Sequence, residues 1–318
     1  MIFIIRKVYP VIFLAILTIV SSATATGSKS NHFQFNSLSH GGIKRTYMVH
    51  IPAAYTGENS VPLFIVLHGG GGNGEKAEKI SRISRQSNKE VFILVYPDAV
   101  GRNWNDGRAV NKYLSHRKNI DDVGFISALI DKLRNDYAID PTRVYVAGAS
   151  NGGMMAHRLA CELTDKITAI APVIAAMPEN IVEQCSPTRA IPVIMINGTA
   201  DPMVPWEGGY VRFIGGKKYG RILSAPDTAQ FWVSNNRCKK EPIKTWLPDT
   251  APEDGTRVRK TVFGGCKEDG EVHLYEIHGG GHTWPGGRKN APEYISGKST
   301  SDIDANQIIW DFFKKFNF

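Results

Sequence analysis

The spacing of apolar residues along the 318-residue chain changes period several times, and each change marks an element. Residues 44–51 alternate apolar and polar, the pattern of a half-exposed strand. Residues 61–67 carry PLFIVL as an unbroken apolar run bounded by Pro62 and Gly69, as expected for a strand buried on both faces. Residues 91–96, 144–146, 168–174 and 191–196 repeat that signature, and 257–263 and 272–277 add two more strands. Between them the spacing turns helical. A polar helix is expected near residues 75–87. Phe125, Ile126, Leu129, Ile130 and Leu133 recur at helical intervals behind Asp121 and Asp122, two acids expected to cap this helix rather than to catalyse. Further helices are expected from Met154 onward and over residues 227–236 and 303–316. Strands alternating with helices predict an α/β fold, a mostly parallel central sheet with helices on both faces. No internal repeat or low-complexity linker interrupts the pattern, so one domain over residues 26–318 is expected.

The first residues stand apart. Arg6 and Lys7 precede an apolar run from Val8 to Val20, and Ala23-Thr24-Ala25 closes it with small residues. That is the pattern of a secretory signal peptide over residues 1–25. A spanning helix needs about 20 apolar residues, so no membrane anchor is expected in the mature chain, and its destination is extracellular or periplasmic. The formal charge of +8 is spread along the chain, with basic and acidic residues interleaved. No basic helix or aromatic-basic alternation of the kind that nucleic-acid binding requires is present. Cys161, Cys185, Cys238 and Cys266 all lie in the mature part, and four cysteines in an oxidising compartment allow three pairings. The neighbours in sequence, which close modest loops, are the expected pairs; a zinc site has no C-x2-C pair to support it.

Candidate chemistry centres on residues 143–158, RVYVAGASNGGMMAHR. Gly148-Ala149-Ser150-Asn151-Gly152 matches the G-x-S-x-G nucleophile elbow, and it lies between an expected strand and an expected helix, the context this motif needs. Taken alone the run is also an ordinary flexible turn. A serine hydroxyl becomes a nucleophile only when a histidine accepts its proton and a carboxylate holds that histidine in the correct tautomer. Asp201 follows strand 191–196 through Asn197-Gly198-Thr199-Ala200, and His282 follows strand 272–277 through a glycine run. Both therefore fall on loops at strand carboxyl ends, where sites form in open α/β sheets, and in the chain order Ser, Asp, His. Individually, Asp201 before Pro202 is a plausible turn initiator. His278 and His282 are separated by Gly279-Gly280-Gly281, which makes no dependable helix for a metal pair, so no metal is expected. His157 and His278 are expected to be structural. The oxyanion donors expected are the backbone N–H groups of Asn151 and of Gly70, in His68-Gly69-Gly70-Gly71 after the early buried strand. Trp104, Trp206 and Trp284 lie on the same strand-end loops; such residues also serve to pack loops down, and at least two of these are expected to line an aromatic rim for substrate. Part of the stretch 204–225 has the length to arch over the site, but its Gly-rich, basic character makes a surface excursion the expectation, leaving the site without a large lid.

These residues carry a family resemblance. LHGGGGN (67–73), GASNGGMM (148–155), NGTADPMVP (197–205) and GGGHTWPGG (279–287) resemble the secreted serine esterases grouped with polyhydroxybutyrate depolymerases and feruloyl esterases, and the surroundings of Cys238 and Cys266 fit as well. The resemblance implies an α/β-hydrolase fold, Ser150 as nucleophile, Asp201 as acid, His282 as base, and hydrolysis of carboxylic esters without a cofactor. It agrees with the sequence-neighbour disulfides. Many polymer depolymerases of this group carry a linker and a binding domain beyond the catalytic one. This chain ends after its last helix, so solid polyester is not the favoured substrate, and soluble polyester oligomers and feruloylated polysaccharide stand as equal candidates. The competing classes are a serine peptidase on the same fold and a non-catalytic carbohydrate- or polymer-binding protein.

Overall fold

Strand β3 (Val61–Leu67) shows how this chain builds its core. Leu63, Ile65 and Leu67 point to one side of the sheet and Phe64 and Val66 to the other, and all five are buried. Strand side chains alternate with period two, so an unbroken apolar run requires cover on both faces. The computed structural model describes Ile2 and residues 33–213, 216–289 and 291–318; residues 31–318 cluster as one compact unit. The rest of the expected signal peptide lies outside the described residues.

The remaining strands are β1 (Phe33–His40), β2 (Ile43–His50), β4 (Ile93–Pro97), β5 (Ile139–Ala149), β6 (Ala169–Val173), β7 (Val193–Gly198), β8 (Gly209–Phe213), β9 (Lys217–Ile222), β10 (Ile243–Trp246), β11 (Arg257–Phe263) and β12 (Val272–His278). The helices are α1 (Gly74–Ser81), α2 (Ser84–Glu90), α3 (Leu114–Arg117), α4 (Asp122–Asp136), α5 (Asn151–Glu162), α6 (Ala225–Asn235), α7 (Glu293–Ser296) and α8 (Ala305–Phe313). Ten strands form one sheet in the order β1-β2-β4-β3-β5-β6-β7-β12-β11-β10. The run from β4 to β12 is parallel, and antiparallel strands close both edges. Phe125, Ile126, Leu129 and Ile130 of α4, Met155 and Leu159 of α5 and Trp232 of α6 pack on one face. Trp310, Phe312 and Phe313 of α8, with Ile83 beside α2, cover the other. Removing a buried aromatic such as Phe313 is expected to cost about 3–5 kcal/mol, because transfer and cavity terms add.

Several local expectations are refined. The single helix near residues 75–87 is two, because Arg82 takes a left-handed conformation (φ 57°). The break lets Ile83 drop into the core while Ser84 Oγ donates to the Glu78 carboxylate at 2.5 Å. Val91 is also left-handed (φ 52°), so β4 starts later than its apolar run. Asp121 caps α4 as expected, accepting from the Gly124 N–H at 2.8 Å. Asp122 does not: it is fully buried, paired with Arg45 at 2.6 Å and accepting from the Asn105 N–H at 2.8 Å. Strands β1 and β10 were not visible in the pattern, because most of β1 and all of β10 are solvent-exposed and present no apolar face.

The structure joins Cys161 to Cys185 and Cys238 to Cys266, closing loops of 24 and 28 residues. Loops of that length restrict the unfolded chain by about 3 kcal/mol each. His157 is structural, as expected: its Nδ1 accepts from Trp232 Nε1 at 3.0 Å, tying α5 to α6. Complete burial lowers its pKa from 6.5 to about 3. The folded chain therefore holds this imidazole neutral while the unfolded chain protonates it below pH 6.5, so stability is full above that value and falls as pH drops. The contribution is about 1.4 kcal/mol per pH unit. Thermal denaturation of wild type and His157→Asn, whose side-chain oxygen can still accept from Trp232, should show a shallower acid slope in the variant. Equal slopes between pH 6.5 and about pH 4 would remove His157 as the cause.

Candidate active site

Ser150 stands alone between β5 and α5, with φ 54° and ψ −119°. A left-handed serine is strained and persists only where its surroundings force it. Here the Ser150 N–H donates to Val173 O (3.0 Å) and the Ser150 carbonyl accepts from the Met154 N–H (2.9 Å). The flanking glycines explain the motif. A methyl group at Gly152 would lie 2.3 Å from the Leu67 carbonyl oxygen, and one at Gly148 would lie 2.4 Å from the Gly152 carbonyl. The turn thus packs backbone to backbone against the end of β3, and only hydrogen side chains fit.

The same packing sets the loop after β3 against the elbow. A methyl on Gly69 would stand 3.7 Å from Ser150 Cβ, and one on Gly70 would stand 3.7 Å from Asn151 Cβ. His68 braces this loop: its Nε2 accepts from the Ala99 N–H at 3.1 Å, and burial pushes its pKa down. The neutral ring therefore carries its proton on Nδ1, which donates to Gly69 O at 2.8 Å. The Asn151 side chain is fully engaged: its oxygen accepts from the Trp104 N–H (2.8 Å), and its amide donates to Trp104 O (3.1 Å) and to Asp106 (2.6 Å). Asp106 is buried and binds the Arg108 guanidinium, which in turn donates to Tyr219 O at 2.9 Å. No sequence motif announced this clamp, since each member is a common polar residue and only the fold brings them together.

Asp201 and His282 meet. The carboxylate Oδ2 lies 2.7 Å from His282 Nδ1, and Oδ1 accepts from the N–H groups of Met203 and Val204 at 2.8 and 2.9 Å. The turn-initiating role and the partnership with histidine therefore coexist in one residue. The histidine loop is fixed by its own backbone: Gly281 N donates to Lys298 O (2.8 Å), His282 N to Ser296 O (2.5 Å), and Ala200 N to Gly280 O (2.9 Å). His278 sits outside this arrangement, packed on Trp246 with ring centroids 4.8 Å apart. Among the described residues no group of three or more His, Cys, Asp or Glu side chains is placed to hold a metal ion.

Ser150, Asn151, Gly70 and His282 line one cavity of about 420 Å³, whose walls include Ile174, Met203, Val211, Phe213, Trp284 and Ile295. No hydrogen bond joins Ser150 Oγ to His282. Such bonds in ligand-free enzymes often tighten only in the substrate complex. Of the three tryptophans expected at the rim, Trp284 lines the cavity while its indole N–H donates to Asn306 at 3.0 Å. Trp104 is a correction. It has no exposed surface, stacks near His68 and donates to its carbonyl at 3.0 Å, so it supports the loop from below. Trp206 is half-buried and packs against the core cluster of the α4–α6 face. The stretch 204–225 is more than a surface excursion. Hairpin β8–β9 sends Val211 and Phe213 into the cavity wall, and Tyr219 stacks on Tyr113 at 5.7 Å. The alternation in GYVRF was the available signal, masked by flanking glycines and lysines.

Comparison with known proteins agrees with the fold. A model described as the α/β hydrolase fold matches residues 64–194, from β3 into β7. A protein of Nocardia uniformis subsp. tsuyamanensis named as an esterase, NocK, is 32% identical over 278 residues, covering 85% of this chain and 79% of its own. Feruloyl esterase B of Piromyces equi is 28% identical over 279 residues, 86% of this chain but 45% of the longer relative. Among solved structures, acetyl xylan esterase from Aspergillus awamori superposes with a TM-score of 0.58 over 89% of this chain and 99% of its own, at 12% identity, a likeness of fold alone.

Proposed function

The chain belongs to the α/β-hydrolase family of esterases, and from that premise we propose that it is a secreted serine carboxylesterase working through Ser150, His282 and Asp201. His282 Nε2 takes the proton of Ser150 as Oγ attacks the ester carbonyl carbon. The N–H groups of Asn151 and Gly70 receive the resulting oxyanion, the first of them strengthened by the positive end of α5. His282 then returns the proton to the departing alcohol. Water, activated by the same imidazole, releases the acid from the acyl-enzyme. Asp201 holds Nδ1 protonated so that Nε2 is free to accept. The observation that carries this reading is the 2.7 Å Asp201–His282 contact bordering the cavity that Ser150 also lines. Secretion is supported by the amino-terminal pattern and by two disulfides.

The cavity favours an aromatic acyl group, since Phe213 and Trp284 supply flat walls, and a relative is named feruloyl esterase. Hydroxybutyrate oligomers are the second candidate, on the motif resemblance. The test ranks methyl ferulate, 4-nitrophenyl acetate, hydroxybutyrate oligomers and a peptide amide by kcat/KM, with mass spectrometry of the fluorophosphonate-treated protein. Ester turnover, no amide cleavage and a single adduct on Ser150 are expected. Binding of these esters without turnover would leave the polymer-binding class as the answer.

A further inference from the structure

Beside the catalytic cavity lies a second concavity of about 440 Å³, bordered by Asn73, Lys76, Lys79, Ile80, Arg288 and Lys289. Lys76 and Ile80 belong to the walls of both cavities, so the two are contiguous. Four cations face this annex against one carboxylate, Glu75. None of the four has an ion pair or a side-chain hydrogen bond within the described structure. Elsewhere the chain pairs its charges freely, as Lys132–Asp136, Arg158–Glu162 and Lys166–Asp131 show. Four unpaired like charges around one hollow repel one another and raise the local anion concentration. The hollow is also preformed: the Arg288 N–H donates to Ile80 O at 2.8 Å, holding the 286–289 segment on α1.

We propose that this annex is an anionic subsite that takes carboxylates on the carbohydrate portion of the ester substrate, so that uronate-bearing saccharide esters are the preferred class. The proposal rests on the esterase reading, because the annex matters to turnover only if Ser150 acts on an ester bound next to it. An ester seated in the catalytic cavity with its sugar chain leaving past Lys76 would carry its carboxylates into the hollow that Lys79, Arg288 and Lys289 line. Lys and Arg bind carboxylates by charge-assisted hydrogen bonds. The attraction acts over about 10 Å at 0.1 M salt and fades above that.

The experiment measures inhibition of 4-nitrophenyl acetate hydrolysis at low ionic strength by trigalacturonate, xylotriose and inorganic phosphate. It uses wild type and Lys79→Glu/Arg288→Glu/Lys289→Glu, and adds direct calorimetric binding to Ser150→Ala. Trigalacturonate should bind Ser150→Ala and inhibit wild type at concentrations about 10-fold below xylotriose or phosphate, and raised salt should abolish the difference. The triple variant should lose that preference while hydrolysing the neutral ester as wild type does. Equal potency of xylotriose, equal potency of phosphate, or inhibition untouched by charge reversal would each overturn the annex. Absence of neutral-ester turnover in wild type would instead overturn the esterase reading, and calorimetry would still decide whether the annex binds.

Discussion

Ser150→Ala is expected to lower kcat on methyl ferulate by about 10⁶-fold, the loss seen when the nucleophile of a serine hydrolase is removed. Its thermal midpoint should stay at the wild-type value. Both halves follow from the same geometry. Among the described residues the Ser150 side chain makes no hydrogen bond, so removing its oxygen leaves no buried partner there unsatisfied. Surface substitutions that touch no such feature are usually within about 0.5 kcal/mol. The backbone strain at φ 54° is unchanged, because alanine and serine both carry a Cβ. Kinetics on ester substrates beside differential scanning calorimetry check this pair of outcomes. A variant that keeps its activity would place the chemistry elsewhere, and a variant that unfolds would make Ser150 structural.

Asp201→Asn should lower kcat by about 10⁴-fold with little change in KM. The carboxylate has two jobs: Oδ1 accepts from the Met203 and Val204 N–H groups, and Oδ2 contacts His282 Nδ1 at 2.7 Å. An asparagine satisfies the first by turning its oxygen toward the two N–H groups. Its amide nitrogen then points at Nδ1 as a donor, so the imidazole must carry its proton on Nε2. That tautomer cannot take a proton from Ser150. The turn survives, so folding should be retained, and activity should recover in part at alkaline pH if hydroxide deprotonates Ser150 directly. Single-turnover measurements of acylation as a function of pH test this. A loss of less than about 10-fold would mean that Asp201 serves only the turn.

The buried strands were legible because burial on both faces writes itself as unbroken apolar runs. Val61–Leu67 appears in the structure with the bounds expected of it. The helix break at Arg82, the late start of β4 after Val91 and the edge strands β1 and β10 were not. Left-handed residues and exposed edges leave no periodic mark. For the site, the elbow around Ser150 and the glycine-rich strand-end loops could be recognised because tight backbone approach restricts residue type. Trp104 shows the converse. An indole on a strand-end loop looks the same in sequence whether it faces substrate or, as here, lies buried under His68 with its N–H satisfied.

Local chemistry along the chain was enough for the parallel sheet, the serine turn and the order of Ser150, Asp201 and His282, since each depends on near neighbours in sequence. Contacts between distant segments settled the rest: the Asn151–Trp104–Asp106 clamp, Phe213 and Val211 reaching into the cavity wall, and Lys79 sharing one hollow with Arg288. A hydrogen bond or an apolar wall needs two partners at fixed separation, and that separation exists only once the sheet has brought its strand ends to one edge.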